Sequence, residues 1–276
     1  MCSELKISVV VENSVYKQAL LAEHGLSVLI ECGTEKILMD TGQGKALFNN
    51  LTVMNISLDD IHKLILSHSH YDHTGGVMNF LMKKSTPTEI YIHPEAMKPC
   101  FSKRNGTVRP IGLSEPVIDM FENGDYDIRF TEKPTEVYSN VWVTGSVPRM
   151  EKYPMTDRFY SDGNAAVENI IPDDQTTFIE TEKGIVVIAG CCHAGIIPTL
   201  EYIKSLTDNS VYAVIGGMHL IHASREQQEE VLDYLVDNGV QIIAPLHCSG
   251  FDAKALFKER LGDKYLNLYA GATFSF

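Results

Sequence analysis

The sequence has little positive charge. It contains 23 lysine and arginine residues against 36 aspartate and glutamate residues, which gives a formal net charge of −13. Attraction to nucleic acid or to an anionic lipid surface depends on basic surface charge. The charge balance therefore argues against both as partners and favours a small molecule.

Long hydrophobic runs and cysteine pairs are also missing. No apolar stretch approaches the roughly 20 residues that span a bilayer, and the amino terminus has no readable secretion signal. We therefore expect a soluble, cytoplasmic protein. The six cysteines are scattered without a CxxC pair, which argues against a disulfide framework and a zinc ribbon. We expect most of them to be reduced and buried.

Short strand-like runs and helical segments follow one another along the chain. The segment "TTFIETEKGIVVIAG" predicts a hairpin that turns at Lys183 and Gly184. Beyond it, strands alternate with the predicted helices "IPTLEYIKSL" and "REQQEEVLDYLVDNG", and "YLNLYAG" is the last predicted strand. We predict an α/β protein with one domain over residues 1–276. Residues 83–170, which hold most of the prolines, are interpreted as a pocket-forming elaboration.

The stretch "LSHSHYDHTGG", residues 66–76, carries the strongest functional motif. Alternate residues of an extended segment point the same way, so His68 and His70 can converge on one ion. After the chain turns, Asp72 and His73 can face a second ion. Imidazole nitrogen and carboxylate oxygen suit zinc and other divalent metals. The motif predicts two metal ions, with zinc expected first and manganese, iron or nickel as alternatives.

Three further histidines each follow an apolar strand. They are His193 in "GCCHAG", His219 in "GGMHL" and His247 in "PLHCSG". The carboxyl ends of strands are where open α/β sheets build their sites. We predict that His193 and His247 complete the metal coordination and that His219 polarises the substrate. Three histidines outside these motifs are expected to be ordinary core or surface residues: His24, His62 and His93.

One basic island interrupts the acidic sequence. Its members are Lys83, Lys84, Lys98, Lys103, Arg104 and Arg109. They form either a solvated face or a pocket for an anionic group such as phosphate. Under the second interpretation, the substrate-binding residues are Lys103, Arg104 and Arg109.

These motifs together resemble a known family. "MDTGQG", "SHSHYDHTGG" and the terminal "PLHCSG" are similar to the metallo-β-lactamase superfamily. "DDQTTFIETEKGIVVIAGCCHAGI", followed by "GGMHL", resembles its dihydropterin ribofuranosylaminobenzene phosphate synthase-like branch. The resemblance implies a four-layer αββα sandwich with two facing mixed β-sheets and a metal site at one edge of them.

The resemblance also implies roles for single residues. His68, His70 and His193 match ligands of the first metal. Asp72, His73 and His247 match ligands of the second metal. Asp40 matches an aspartate that holds the ligand loop by hydrogen bonds.

The bridging ligand departs from the superfamily pattern. Cys191 stands where the superfamily has an aspartate that bridges the two metals. A bridging Cys191 thiolate is one hypothesis, and the alternatives are a carboxylate from Asp173 or Asp174, or water alone.

Three functions agree with these observations. The leading hypothesis is metal-dependent hydrolysis of a small anionic substrate (a phosphate ester, phosphodiester or cyclic ester), with Asp72 and His219 as catalytic residues. The branch implies a second, a synthase that joins a pterin methyl diphosphate to ribofuranosylaminobenzene phosphate. A third is a non-catalytic metal-binding sensor. The sequence leaves the oligomeric state open.

Overall fold

The structure, a computed structural model, describes Cys2 and residues 4–276, and the chain divides into two compact units. The amino-terminal unit comprises residues 4–132, 158–173 and 269–276, and the carboxyl-terminal unit comprises residues 133–157 and 174–268. No helix among the described residues combines the length and apolar character that a membrane span requires. The prediction of a single domain stays a prediction.

The chain forms seventeen strands and seven α-helices within the described residues. The strands are β1 (Leu5–Val11), β2 (Ser27–Cys32), β3 (Glu35–Met39), β4 (Lys63–Ile65), β5 (Glu89–Ile92), β6 (Phe101–Arg104), β7 (Thr107–Pro110), β8 (Asp127–Phe130), β9 (Thr135–Tyr138), β10 (Val141–Val143), β11 (Phe159–Tyr160), β12 (Glu168–Asn169), β13 (Thr177–Thr181), β14 (Gly184–Ala189), β15 (Val211–Gly217), β16 (Ile242–Leu246) and β17 (Thr273–Ser275). The helices are α1 (Leu47–Val53), α2 (Tyr71–Thr74), α3 (Val77–Lys83), α4 (Glu115–Asn123), α5 (Ile196–Leu206), α6 (Arg225–Asp237) and α7 (Phe251–Leu261).

The amino-terminal unit is built on a seven-stranded mixed sheet with the order β17-β1-β2-β3-β4-β5-β8. Strands β17, β1, β2 and β3 pair antiparallel, whereas β3, β4, β5 and β8 pair parallel. Leu38, Leu64 and Ile90 bring apolar side chains from three of the parallel strands into one core with α1, α3 and α4. A smaller four-stranded sheet of order β12-β11-β6-β7 belongs to the same unit.

The carboxyl-terminal unit contains a six-stranded sheet with the order β16-β15-β14-β13-β10-β9. Strands β14, β15 and β16 run parallel, so their carboxyl ends lie at the same edge of the sheet. Apolar side chains of α5, α6 and α7 pack with residues of these strands into a second core, represented by Leu200, Leu232 and Phe257. Ser224 begins α6 with a capping box in which its hydroxyl accepts from the Gln227 backbone.

The structure agrees with most of the element predictions and contradicts one. The predicted hairpin is present as β13 and β14, paired antiparallel, and both predicted helices form as α5 and α6. The predicted last strand "YLNLYAG" is wrong, because residues 266–269 are irregular and the final strand is β17. Four buried cysteines are free thiols, as expected: Cys100, Cys191, Cys192 and Cys248. Cys2 and Cys32 are disulfide-bonded.

Candidate metal centre

The histidine motif begins directly after a buried parallel strand. β4 runs between β3 and β5, and the chain beyond it carries His68 and His70 before entering the short helix α2, which contains Asp72 and His73. All four of these side chains are buried. The strand order therefore places the motif at the carboxyl edge of the parallel strands, as the sequence predicts.

Asp40, at the end of the neighbouring strand β3, holds this segment in place. Its Oδ1 accepts a hydrogen bond from the Ser67 backbone N–H at 2.8 Å. Its Oδ2 accepts from the Ser67 hydroxyl at 2.6 Å and from His73 Nδ1 at 2.6 Å. The backbone N–H of Asp40 donates to the Ile65 carbonyl at 2.8 Å. Asp40 thus has the loop-holding contacts that the resemblance implies.

These contacts fix which nitrogen of each imidazole carries the proton. Ser67 has one hydroxyl proton and donates it to Asp40, so its oxygen accepts from His68 Nδ1 at 2.9 Å. His73 Nδ1 likewise donates to Asp40. In the neutral imidazole, Nε2 is then the unprotonated nitrogen of His68 and of His73. That tautomer is the one that binds a metal.

The imidazoles lie close enough together to share a cation. The ring centroids of His68 and His70 are 4.5 Å apart, and those of His68 and His73 are 4.2 Å apart. A ligand atom of His68 lies within 4.8 Å of one on His70 and of one on His73. Three buried imidazoles, one of them hydrogen-bonded to the Asp40 carboxylate, offer nitrogen donors that suit a divalent metal.

His70 has two neighbours that the sequence did not reveal. The Cys100 thiol lies 3.6 Å from His70 Nε2, and the ring of Phe159 lies 4.8 Å from that of His70 between centroids. Burial raises the pKa of Cys100 to about 12, so this sulfur is a neutral thiol at physiological pH. Cys100 and Phe159 therefore give the outer side of His70 an apolar lining.

Asp72 pairs with a histidine that was expected to be an ordinary residue. His24 Nε2 lies 3.1 Å from Asp72 Oδ2, and the His24 side chain is half-exposed. An imidazole beside a carboxylate gives a metal two neighbouring donors or gives the carboxylate a proton source. His24 joins the candidate site for this reason.

The two aspartates proposed as alternative bridging ligands each contact a backbone amide of a ligand loop. Asp173 Oδ2 accepts from the Ser69 N–H at 2.7 Å, between His68 and His70. Asp174 Oδ2 accepts from the Ala194 N–H at 2.8 Å, directly after His193. Burial raises the pKa of Asp173 above its usual range. Both carboxylates position a turn that carries predicted ligands.

The remaining predicted ligands lie at the carboxyl ends of three parallel strands. Cys191 and His193 follow β14, His219 follows β15 and His247 follows β16. Ala189 pairs with Gly216, and Gly217 with Leu246, so the three turns start at the same level of the sheet. Arg149 donates a hydrogen bond to the carbonyl of His193. Within this unit, each of the three histidines follows an apolar strand, and the carboxyl ends of these strands share one edge of the sheet.

Buried Cys191 and Cys248 form a cluster with half-buried His219 in the carboxyl-terminal unit. One ligand atom of each lies within 4.8 Å of the others, and the His219 ring lies 4.3 Å from that of His193 between centroids. His219 Nε2 contacts Asp157 Oδ2 at 2.9 Å. Burial lowers the pKa of His219, but hydrogen bonds to Asp157 and Cys248 outweigh burial and raise it to about 10. Asp157 thus orients the His219 ring and favours its protonated form.

The predicted substrate-binding residues lie on an exposed hairpin. Lys103 and Arg104 are on β6 and Arg109 is on β7, all exposed to solvent. Arg104 and Arg109 lower the pKa of Tyr71 by charge, although burial dominates and raises it. Tyr71 stands between His70 and Asp72 and donates its backbone N–H to the Ile111 carbonyl at 2.8 Å. The hairpin and the histidine motif thus belong to the same unit, and this hydrogen bond joins them just beyond β7.

Four functional turns contain a residue with left-handed backbone conformation. The φ angles are 61° at Asp40, 62° at Cys192, 49° at His219 and 46° at His247. Non-glycine residues reach this region at a cost of about 1 kcal/mol or more. Such residues concentrate at functional sites, where the surrounding structure holds them in place.

Sequence reasoning missed His24, Cys100, Asp157 and Arg149. None of them belongs to a local motif, because each contacts its partner across 30 or more residues of chain. Asp157 and Arg149 lie in the irregular region 83–170, where periodicity gives no signal. The dipeptide Asp157-Arg158 is too short a pattern to have identified Asp157, and Arg149 belongs to no motif.

Comparisons with known proteins agree with the geometry of the candidate metal centre. The sequence profile of the metallo-beta-lactamase superfamily matches residues 20–202. The chain is 29% identical to the 7,8-dihydropterin-6-methyl-4-(beta-D-ribofuranosyl)-aminobenzene-5'-phosphate synthase of Methanocaldococcus jannaschii over 272 residues, which cover 95% of this chain and 92% of the synthase. It is 32% identical to the uncharacterized protein MJ0448 of the same organism, over 90% of this chain and 91% of that protein.

A crystal structure shows the same fold. Tm1679, a metal-dependent hydrolase of the beta-lactamase superfamily, matches with a TM-score of 0.84 and 26% identity over 98% of both chains. The predicted fold class and the resemblance to the synthase branch are thus confirmed. The matched profile includes the histidine motif and His193. The chain belongs to the metallo-β-lactamase superfamily.

Proposed function

We propose that this protein is a metal-dependent transferase that joins a pterin methyl diphosphate to a ribofuranosylaminobenzene phosphate. The observation that carries the proposal is the 29% identity to the dihydropterin synthase, which extends over 95% of the chain and includes the ligand motifs. A nitrogen–carbon bond forms at the pterin methyl group, the carbon–oxygen bond to diphosphate breaks, and the amine loses a proton.

The proposed ligand set follows the superfamily. His68, His70 and His193 hold the first ion, and Asp72, His73 and His247 hold the second. Two divalent ions, with zinc expected first, supply positive charge that stabilises a diphosphate leaving group. The tautomers fixed by Asp40 and Ser67 support this assignment, because they leave Nε2 of His68 and His73 unprotonated.

The charged residues have separate roles in this proposal. Asp72, beside His24, accepts the amine proton at its carboxylate. Arg104 and Arg109, with Lys103, attract the phosphorylated partner to the histidine motif. His219, oriented by its contact with Asp157, polarises the substrate. Cys191 is proposed as the ligand that bridges the ions.

The test supplies purified protein with both partners and measures the joined product together with released diphosphate. Replacing His70 or His193 by Ala is expected to abolish product and to lower the bound metal. His62→Ala is the matched control, since His62 is an exposed histidine in the same sequence region. Product formation by His70→Ala at the parent rate, with its metal lost, contradicts the proposal.

Metal-dependent hydrolysis is the second candidate, and the likeness to Tm1679 favours it. A hydrolase needs one substrate and water, so a panel of phosphodiesters, phosphate monoesters and lactones tests it without the second partner. Turnover of a panel member that depends on His70, combined with no joined product, favours hydrolysis over the transferase reaction. Metal binding without any turnover in either assay favours a sensor.

A further inference from the structure

A cavity beside His193 is lined in part by residues that the reaction described above does not use, such as Tyr153 and Met155. Its volume is about 160 Å³, close to that of a roughly 150 Å³ apolar cavity that holds benzene. It lies wholly in the carboxyl-terminal unit, between the loop 152–156, the start of α5, the turn after β15 and the start of α6. His193 and His219 form one end of it.

About half of the cavity's lining surface is apolar. Met155, Ile197, Met218 and Leu220 contribute aliphatic and thioether groups, and Tyr153 contributes an aromatic face. Methionine sulfur and aromatic faces both make favourable contacts with aromatic ligands. The rings of His193 and His219 lie at the inner end of the cavity, 4.3 Å apart between centroids, and extend this aromatic lining.

Tyr153 is held rigidly as a wall. Its hydroxyl receives a hydrogen bond from Lys152 Nζ at 2.9 Å and lies 3.3 Å from Glu230 Oε1. The Lys152 ammonium also lies over the Tyr153 ring, 4.8 Å from its centroid. A preformed aromatic wall binds a flat group without the loss of side-chain entropy that a mobile ring undergoes.

The charges around the cavity cancel in pairs. Lys152 and Glu230 form an ion pair at 2.7 Å, and His219 Nε2 lies 2.9 Å from the Asp157 carboxylate. A phosphate in this cavity therefore meets no uncompensated cation among its lining side chains. The cavity suits an uncharged group, in contrast to the hairpin that carries Arg104 and Arg109.

One lining residue supplies a directed polar contact. Gln227 Oε1 accepts from the Ser224 backbone at 2.8 Å, which leaves its NH₂ group as a hydrogen-bond donor. A donor at the edge of a partly apolar, aromatic-walled cavity matches a flat ring that carries an acceptor atom.

We propose that this cavity binds the uncharged heteroaromatic ring of the substrate and places its reacting substituent next to His193. The proposal rests on the proposed function, in which the substrate has a neutral ring and a separate phosphorylated end. The ring enters the carboxyl-terminal cavity, and its charged end remains outside it.

The test fills the cavity from a position that is not a predicted ligand. Ala223 lines the cavity and is half-buried, so Ala223→Leu and Ala223→Phe add progressively more bulk there. Ala255→Phe is the matched control, since Ala255 is exposed on α7 of the same unit. The probe is pterin, a neutral fluorescent heteroaromatic ring, titrated into metal-loaded protein and followed by fluorescence quenching.

We expect pterin affinity to fall at least tenfold in Ala223→Phe, to fall by a smaller factor in Ala223→Leu, and to equal the parent value in Ala255→Phe. Inorganic phosphate is expected not to compete. Thermal melts and metal content confirm folding, and Ala223→Leu alone decides the matter if Ala223→Phe does not fold. Unchanged pterin binding in the filled variants, no saturable binding to the parent, or competition by phosphate overturns the proposal.

The result of the pterin-binding test is independent of the result of the transferase assay. Pterin binding that Ala223→Phe weakens, with no joined product from the parent, supports the cavity proposal and contradicts the transferase. Joined product formed by Ala223→Phe with the parent KM for the pterin partner contradicts the cavity proposal and leaves the transferase intact.

Discussion

At the residue scale, Asp40 controls the protons of the histidine motif. Its two oxygens receive three hydrogen bonds, two from Ser67 and one from His73. Through Ser67 it also fixes the tautomer of His68, which it does not contact directly. A single buried carboxylate thus prepares two imidazoles for a metal without being a ligand itself.

Replacing Asp40 by Asn tests this role. Asparagine tolerates the φ of 61° found at position 40, so the backbone is expected to keep its conformation. Its amide offers one oxygen where the carboxylate offers two, so the hydrogen bonds to Ser67 and His73 cannot all remain. We expect metal affinity to fall roughly 10- to 100-fold, measured by competition with a chromogenic chelator. Asp208→Asn, an exposed change, is the control; equal affinity in Asp40→Asn and the parent contradicts this role.

Single residues were predictable where the motif was local. The sequence alone was enough to identify four candidate site residues, because all of them lie within six positions: His68, His70, Asp72 and His73. His24 and Asp157 gave no such signal, since they meet Asp72 and His219 only after folding. These two contacts join residues that are 48 and 62 positions apart, so they form only in the folded chain and cannot be predicted from a single sequence.

At the scale of elements, β4 and β5 are joined by a charged pair as well as by their backbones. Lys63 and Glu89 are direct neighbours in the parallel register, and Lys63 Nζ lies 2.6 Å from Glu89 Oε2. Tyr91 donates its hydroxyl to the same oxygen at 2.6 Å. The hydrogen bonds from Lys63 and Tyr91 hold the pKa of Glu89 below its usual range. The histidine motif follows β4, so the Lys63–Glu89 pair stabilises the strand from which the motif extends.

The lowered pKa of Glu89 predicts a pH dependence. A carboxylate with a native pKa below its unfolded value stabilises the native state above the unfolded pKa, and that stabilisation is lost as the pH falls through the native pKa. Glu89→Gln is expected to reduce the free energy of unfolding by up to about 1 kcal/mol at pH 7. The difference from the parent should shrink as the pH approaches 4 and below.

Denaturant unfolding across this pH range measures the effect. Glu182→Gln, an exposed change on the turn between β13 and β14, is the control and should follow the parent at every pH. A difference between Glu89→Gln and the parent that stays constant, or grows, toward low pH contradicts the assignment.

Elements were predictable where turn chemistry and periodicity agreed. The β13–β14 hairpin and helix α6 formed as predicted, because a Lys-Gly turn and a Ser-x-x-Gln cap mark their ends. The strand predicted over "YLNLYAG" failed because residues 266–269 alternate in burial without a partner strand along their length. Alternation of apolar and polar residues reports burial, and a strand also requires backbone pairing.

At the scale of the whole molecule, the superfamily was predictable and the division of the chain was not. The ligand motifs are enough to identify the superfamily. The two units are each assembled from separate parts of the sequence: residues 133–157 belong with 174–268, and 158–173 with 4–132. No composition change marks these boundaries, so they follow only from long-range contacts.

Metal removal tests the molecule as a whole. A metal that binds only the native state at 100 times its Kd stabilises that state by about 2.7 kcal/mol. In a protein of this size we expect a chelator to lower the Tm by roughly 5 to 10 °C, measured by differential scanning fluorimetry. The double variant His68→Ala/His70→Ala should melt at the same temperature with and without chelator. An equal chelator effect in both proteins contradicts the proposed ligands.

The left-handed residues of the functional turns have a consequence for how this protein can change. Glycine occupies that conformation without the strain of about 1 kcal/mol that a side chain brings. At Asp40, His219 and His247, a change to glycine relaxes the backbone and removes a group that the proposed chemistry needs. At Asp40 the three hydrogen bonds that glycine would lose outweigh the relief of strain, so this change lowers stability as well as activity. Stability and activity are therefore coupled at this turn, and stabilising substitutions have to be sought elsewhere in the chain.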